Sequence, residues 1–125
     1  MTQHVSSGSP LEPRIGFSRA VRTGSQVWVA ATAAIWPDGH VDPDAGVQAE
    51  RCLEIVGAAL REAGAGLGDV VRTRVCLVDR DDVDAVAAVH GRAFRDIRPV
   101  TGFILVAGFI DPRWRVEIEA DAVVS

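Results

Sequence analysis

Between Arg115 and Val124 the chain alternates: Val116, Ile118, Ala120 and Ala122 are apolar, and the residues between them, Glu117, Glu119 and Asp121, are acidic. Side chains on a strand point to its two faces in turn, so this pattern predicts a strand with one apolar and one acidic face. The apolar face requires a layer packed on it. The acidic face must be solvated, paired with cations, or held in a polar cleft where a carboxylate can handle protons. What else shares that face decides between these.

With 125 residues, 48% of them hydrophobic, the chain can bury one ordinary core. The first ten residues are polar and rich in serine and glycine, which predicts a flexible arm over 1–13 and no leader, followed by one domain over 14–125. No segment approaches the roughly 18 uninterrupted apolar residues of a membrane span. A soluble, cytoplasmic protein with no membrane partner is therefore expected. The net charge of −4 sets up a field that repels phosphate polyanions and disfavours nucleic acid. Cys52 falls in a helical pattern and Cys76 in an apolar strand, so both read as core thiols of a reducing compartment, with a disulfide disfavoured. His4, His40 and His90 are isolated from one another, so no metal site is expected.

Phe17–Arg22 and Gln26–Ala33, separated by Thr23-Gly24-Ser25, suit a hairpin. From Asp44, a plausible cap, Val47, Cys52, Leu53, Val56, Ala59 and Leu60 recur at helical spacing until Gly64. Residues 69–78 are rich in β-branched side chains and predict a strand with Val71, Thr73, Val75 and Leu77 on one face and Arg72, Arg74 and Cys76 on the other. A second helix follows, capped by Asp79 or Asp81 and broken at Arg98-Pro99; then come a strand over 101–107 and the acidic strand. The order β-β-α-β-α-β-β predicts an α+β fold, one mixed sheet with both helices on one face. The other face would carry Arg74, Cys76, Phe103 and Glu117, too apolar for plain solvent and too charged for a core. Self-association would cover it and leave polar clefts between copies.

Several segments resemble the Rid/YjgF family of reactive-intermediate deaminases, also known as L-PSP endoribonucleases. They are Gly16–Val21 with Trp28-Val29-Ala30, Asp69–Thr73 leading to Val78-Asp79, Phe94 through Arg98-Pro99, and Val116-Glu117-Ile118-Glu119-Ala120. The resemblance covers nearly the whole chain after the arm. It implies a chorismate-mutase-like fold, a homotrimer with ligand clefts between subunits, and hydrolysis of short-lived enamines and imines to a keto acid and ammonia without a cofactor. By that resemblance Glu117 positions the catalytic water.

Departures from the family pattern bear on the substrate. Where the deaminases carry an arginine two residues after the proline of the Arg-Pro turn, this chain has Thr101. Its hydroxyl offers one neutral hydrogen bond, worth about 0.5–1.5 kcal/mol, in place of a charged bidentate contact. Phe17 lacks the hydroxyl of the tyrosine common there, and Ala30-Ala31 replaces a Ser-Gly pair. A substrate cleft is thus expected from Phe17, Ala31, Thr101 and Phe103, with Trp28, Trp36 and Trp114 more often core or rim. Arg74 either substitutes for the missing cation or neutralises the acidic row, and the ion pair is the better reading because an unpartnered buried row is costly. His90 reads as a satisfied core histidine. Three functions follow in order: a deaminase-type hydrolase with atypical substrate choice, a non-catalytic trimer binding a small metabolite, and, last, a ribonuclease.

Overall fold

The hairpin forms where expected. The computed structural model describes residues 1–125, and in it β2 (Ala20–Thr23) pairs antiparallel with β3 (Gln26–Ala33) across Gly24-Ser25, Thr23 lying opposite Gln26. Gly24 takes a positive φ of 61°, a conformation that suits glycine at a two-residue hairpin turn. Beyond the hairpin the chain forms α2 (Ala45–Glu62), β4 (Val70–Leu77), α3 (Val83–Phe94), β5 (Val100–Leu105) and β6 (Val116–Val123), preceded at the N-terminus by β1 (Thr2–Val5) and α1 (Leu11–Ile15). The six strands make one sheet in the order β1-β2-β3-β6-β4-β5. Only β4 and β5 pair in parallel. Since β3 and β4 both run antiparallel to β6, they run parallel to each other, so each long helix is a crossover between parallel strands.

Both crossovers lie on one face. Cys52, Val56 and Leu60 of α2 and Val86 and Val89 of α3 join Val27, Val29, Val75, Leu77, Val116, Ile118 and Ala120 of the sheet in a single core of 23 buried residues. The Asp44 side chain accepts the Val47 N–H at 2.9 Å and caps α2. Gly64, at φ 83°, ends that helix as the sequence predicts; a Cβ there would lie 2.8 Å from the Arg22 guanidinium, which donates to the Ala63 carbonyl. Buried Gln48 ties α2 to the approach of β6: its amide donates to the Asp42 and Arg113 carbonyls and accepts the Arg115 N–H. No helix is long and apolar enough to cross a membrane.

The structure corrects four expectations. The arm over 1–13 is not loose: β1 adds an edge strand against β2, Thr2 opposite Thr23 through Val5 opposite Ala20, and Val5 reaches the core. Backbone pairing holds a segment whose polar composition gave no strand signal. Val71 does not share the face of Thr73, Val75 and Leu77, because the register with β6 shifts between Val70 and Arg72; the extra residue bulges out, leaving Val71 46% exposed while Val70 takes the core position. Phe103 pairs with Val75, so it lies on the helix side, edge-on to His90 with ring centroids 5.9 Å apart, and not beside Glu117. The second helix is capped less directly than expected, since Asp79 caps a short 3₁₀ turn over Arg80–Asp82 from which α3 continues.

Candidate functional site

The helix-free face of the sheet is ordered by the pairing of β4 with β6. Arg72 lies opposite Asp121, Arg74 opposite Glu119 and Cys76 opposite Glu117. Cross-strand neighbours on one face interact directly, so two of the three acids meet a cation and the third does not. Arg72 sits 4.0 Å from the Asp121 carboxylate, and Arg74 forms a tight ion pair with Glu119. On its other side Glu117 faces Ala33 of β3. Its carboxylate therefore makes no hydrogen bond or ion pair within the chain. Half-burial pushes that carboxyl above its ordinary value, the nearby Glu119 charge adds to the rise, and the charge of Arg19 partly opposes it. Beside it the Cys76 thiol is also raised, by burial and by the two glutamates, so it stays protonated at neutral pH and offers no thiolate. Cys52, fully buried under β6, is raised further, by burial first.

The remaining residues expected at the site are spread more widely. The sheet register places Ile104, not Thr101, next to Cys76 on the face of Glu117. Thr101 lies across from Thr73, whose side chain is buried on the helix side. There the two hydroxyls sit 2.8 Å apart, Thr101 donates to the Pro99 carbonyl at 3.2 Å, and Thr73 meets His90 Nε2 at 2.8 Å. Thr101 and Phe103 thus project away from Glu117 within one protomer. His90, half-buried and packed at a tilt against Phe94 with ring centroids 4.7 Å apart, has the partners of a core histidine, and burial lowers its pKa. Ala31 is exposed in a bulge, since Ala30 and Ala31 together oppose the single residue Glu119. Phe17 leads into β2 with its ring 5.2 Å from the Arg19 guanidinium carbon.

Arg19 was not singled out by the sequence. It is only 4% exposed, and its Nη1 donates to the Ala31 carbonyl at 3.1 Å and to Thr32 Oγ1 at 3.0 Å. Strand alternation would turn it to the open side, away from its core neighbour Ala20. What covers it is the chain at 7–10 and Glu12, in the segment taken for a loose arm.

A mixed six-stranded sheet with two crossover helices on one face and an acidic row on the other defines the class, an α+β protein with one face of its sheet left bare. Residues 8–124 match the family described as Endoribonuclease L-PSP, and the chain belongs to that family, the Rid/YjgF proteins, with their chorismate-mutase-like fold. The protein SCO2049 of Streptomyces coelicolor is 43% identical over 123 residues, 96% of this chain and 90% of its own length. The crystal structure of Rv2704 from Mycobacterium tuberculosis, of the YjgF/YER057c/UK114 family, is 44% identical and superimposes with a TM-score of 0.92 over 99% of this chain and 100% of that one. A mouse 2-iminobutanoate/2-iminopropanoate deaminase is 32% identical over 110 residues, 86% of this chain and 80% of its own.

Proposed function

We propose that the protein is a deaminase-type hydrolase of small imines or enamines, acting in clefts that form when three copies bring their bare sheet faces together. One observation carries this reading: of the three acids on that face, Glu117 alone has no arginine across from it and makes no ion pair, and its carboxyl is raised. A carboxylate that is neither neutralised nor fully solvated is suited to proton transfer near neutral pH. Glu117 would take a proton from water as the water oxygen bonds to the iminium carbon. The carbinolamine formed would then break its C–N bond, that proton passing to the departing nitrogen and the hydroxyl proton following it by way of Glu117, so that one water and one iminium give one carbonyl compound and one ammonium. These steps use no cofactor and suit a cytoplasmic protein.

The rest of the cleft follows from what is free to reach it. Phe17 and Ala31 would form an apolar wall near Arg19, and Thr101 and Phe103 would enter from the β5 edge of a neighbouring copy, since within one protomer they face away from Glu117. Arg74 is held by Glu119 and Arg72 stands beside Asp121, so a substrate carboxylate would find each of these cations already facing a carboxylate. That favours substrates smaller or less charged than amino-acid-derived imino acids. The same observation supports a second reading, a trimer that binds a small metabolite without turning it over. The ribonuclease activity that the family description carries is opposed by the acidic row, which would repel phosphates.

Mixing the protein with freshly generated 2-aminoacrylate and with an uncharged aliphatic imine, and following ammonia, separates these readings. The uncharged imine should be hydrolysed faster than background, and Glu117→Gln should lower that rate by about 10²-fold or more, the scale of a lost general base. Equal rates with and without the wild-type protein on both compounds would leave the binding reading in its place.

A further inference from the structure

On the helix side of the sheet a cavity of about 430 Å³ is walled by residues 7–10, by the chain that follows β3, including Ile35 and Trp36, and by Arg51 and Ile55 of α2. Arg19, Thr32 and Ala33 are part of its lining; Thr32 lies across from core residue Ile118 and Ala33 across from Glu117, so the cavity sits at the end of β3, at the margin of the acidic face. None of Glu117, Glu119 and Asp121 lines it, so it is a site separate from the acidic row.

Arg19 is an unusual wall for such a space. Its side chain is 5% exposed, yet only Nη1 has hydrogen-bond partners in the chain. Nε is fully buried with none and is sealed from the cavity too, so only the Nη nitrogens could meet a ligand. The nearest anion, Glu12, lies 3.8 Å from Nε, too far for a hydrogen bond, because one of its oxygens is already held by the Ser7 N–H and hydroxyl. For Glu12, burial alone would raise the carboxyl, but the hydrogen bonds from Ser7 and Ser6 and the charge of Arg19 outweigh it and hold it down as a carboxylate. A buried guanidinium with idle donors is costly, and the group that relieves it best is a planar carboxylate. Arg51 stands on the same cavity, anchored through Nε to the Ile35 carbonyl at 2.7 Å, and its only acidic neighbour is the largely solvated Glu54. The cavity wall itself holds two guanidiniums and no carboxylate, while Glu12 and Glu54 approach them from outside the lining at 3.8 and 3.7 Å. A monoanion can take the donors these carboxylates leave idle, whereas a phosphate dianion would add more repulsion against them.

We propose that this cavity binds a small monocarboxylate with a compact apolar body, its carboxylate on Arg19 and Arg51 and its body against Ile35, Trp36 and Ile55. The site does not depend on hydrolysis at Glu117. It makes the N-terminal segment, Ser7 to Pro10, part of a binding wall, which gives that segment a reason to be ordered.

The full-length protein titrated with sodium benzoate by isothermal calorimetry tests this, with benzamide as the uncharged isostere and inorganic phosphate as the dianion. Benzoate should bind saturably in the millimolar range or tighter, benzamide about tenfold or more weakly, and phosphate without saturation. Ile55→Trp, which fills the cavity, should abolish benzoate binding while leaving the melting temperature and any imine hydrolysis as in the wild type. Arg51→Gln and Arg19→Gln should each weaken it about tenfold or more, and Arg51→Gln with Ile55→Trp decide the matter if Arg19→Gln does not fold. Absence of saturable benzoate binding, equal affinity for benzamide, or wild-type affinity in both Ile55→Trp and Arg51→Gln would overturn the proposal. Loss of imine hydrolysis without loss of benzoate binding would instead count against the role of Glu117.

Discussion

Glu12 and Glu117 are both carboxyls sheltered from water, and their surroundings push them in opposite directions. Hydrogen bonds to Ser7 hold Glu12 low, and half-burial without a partner holds Glu117 high. The signs of their contributions to stability differ accordingly. What Glu12 contributes is present above its unfolded pKa and is lost as pH falls through the lower, folded one. For Glu117 the folded state binds the proton more tightly than the unfolded chain, so its effect is favourable at low pH and turns unfavourable as pH rises from the ordinary 4.5 through the raised value. Glu117→Gln should therefore melt higher than the wild type at pH 7, by about 1–3 °C, with the gap closing below about pH 4; solvent screening keeps the figure small. Calorimetric melting of both proteins across that range measures it. A variant less stable than the wild type at pH 7 would mean that Glu117 is held by a structural bond, and its value as a base would go with it. The sequence displayed Glu117 through alternation and through the resemblance to the Rid/YjgF family, but neither could reveal that the register gives arginines to Asp121 and Glu119 and only Cys76 to Glu117.

At the scale of elements, the strands and helices with strong periodicity formed where the sequence placed them. Periodicity is a local signal, and these segments bury one face each. Facing was less legible. The bulge at Val71 and the parallel register that sets Thr101 beside Thr73 depend on pairing between distant strands, which no local pattern records. The same limit hid β1, a polar strand held by backbone bonds, and with it the cover over Arg19. Gln48 illustrates a contact of this kind that decides geometry: from α2 it satisfies backbone groups of Asp42, Arg113 and Arg115 and so sets where β6 begins, one residue before Glu117. Gln48→Leu keeps the bulk and removes all three bonds. It should cost about 2–4 kcal/mol, since buried backbone groups are left without partners, and urea unfolding with an unchanged slope would register it as lost stability. A cost within experimental error would show that water replaces the amide and that β6 is set by strand pairing alone.

For the whole molecule, the question is what lies against the bare face. Trp28, Val71, Val100 and Ile104 are 42–58% exposed, and the sheet registers place Trp28, Val100 and Ile104 on the side that carries Arg72, Arg74 and the acidic row. Apolar residues gathered on one face with paired charges between them are what an interface between copies looks like before it closes. In a threefold assembly each substitution appears three times, so one charge placed at a buried contact acts against every interface at once. Ile104 is the sharpest probe, because it flanks Cys76, the neighbour of Glu117, and none of its core-facing neighbours depends on it. Ile104→Asp should leave the circular dichroism spectrum intact and convert the mass measured by light scattering from three chains to one. Imine hydrolysis should fall with it, although Glu117 is untouched, because water would flood a carboxyl that is only half-sheltered in the single chain. A wild-type protein that scatters as one chain and still hydrolyses imines would place the whole of the chemistry within one protomer, where Thr101 and Phe103 face the wrong way to take part.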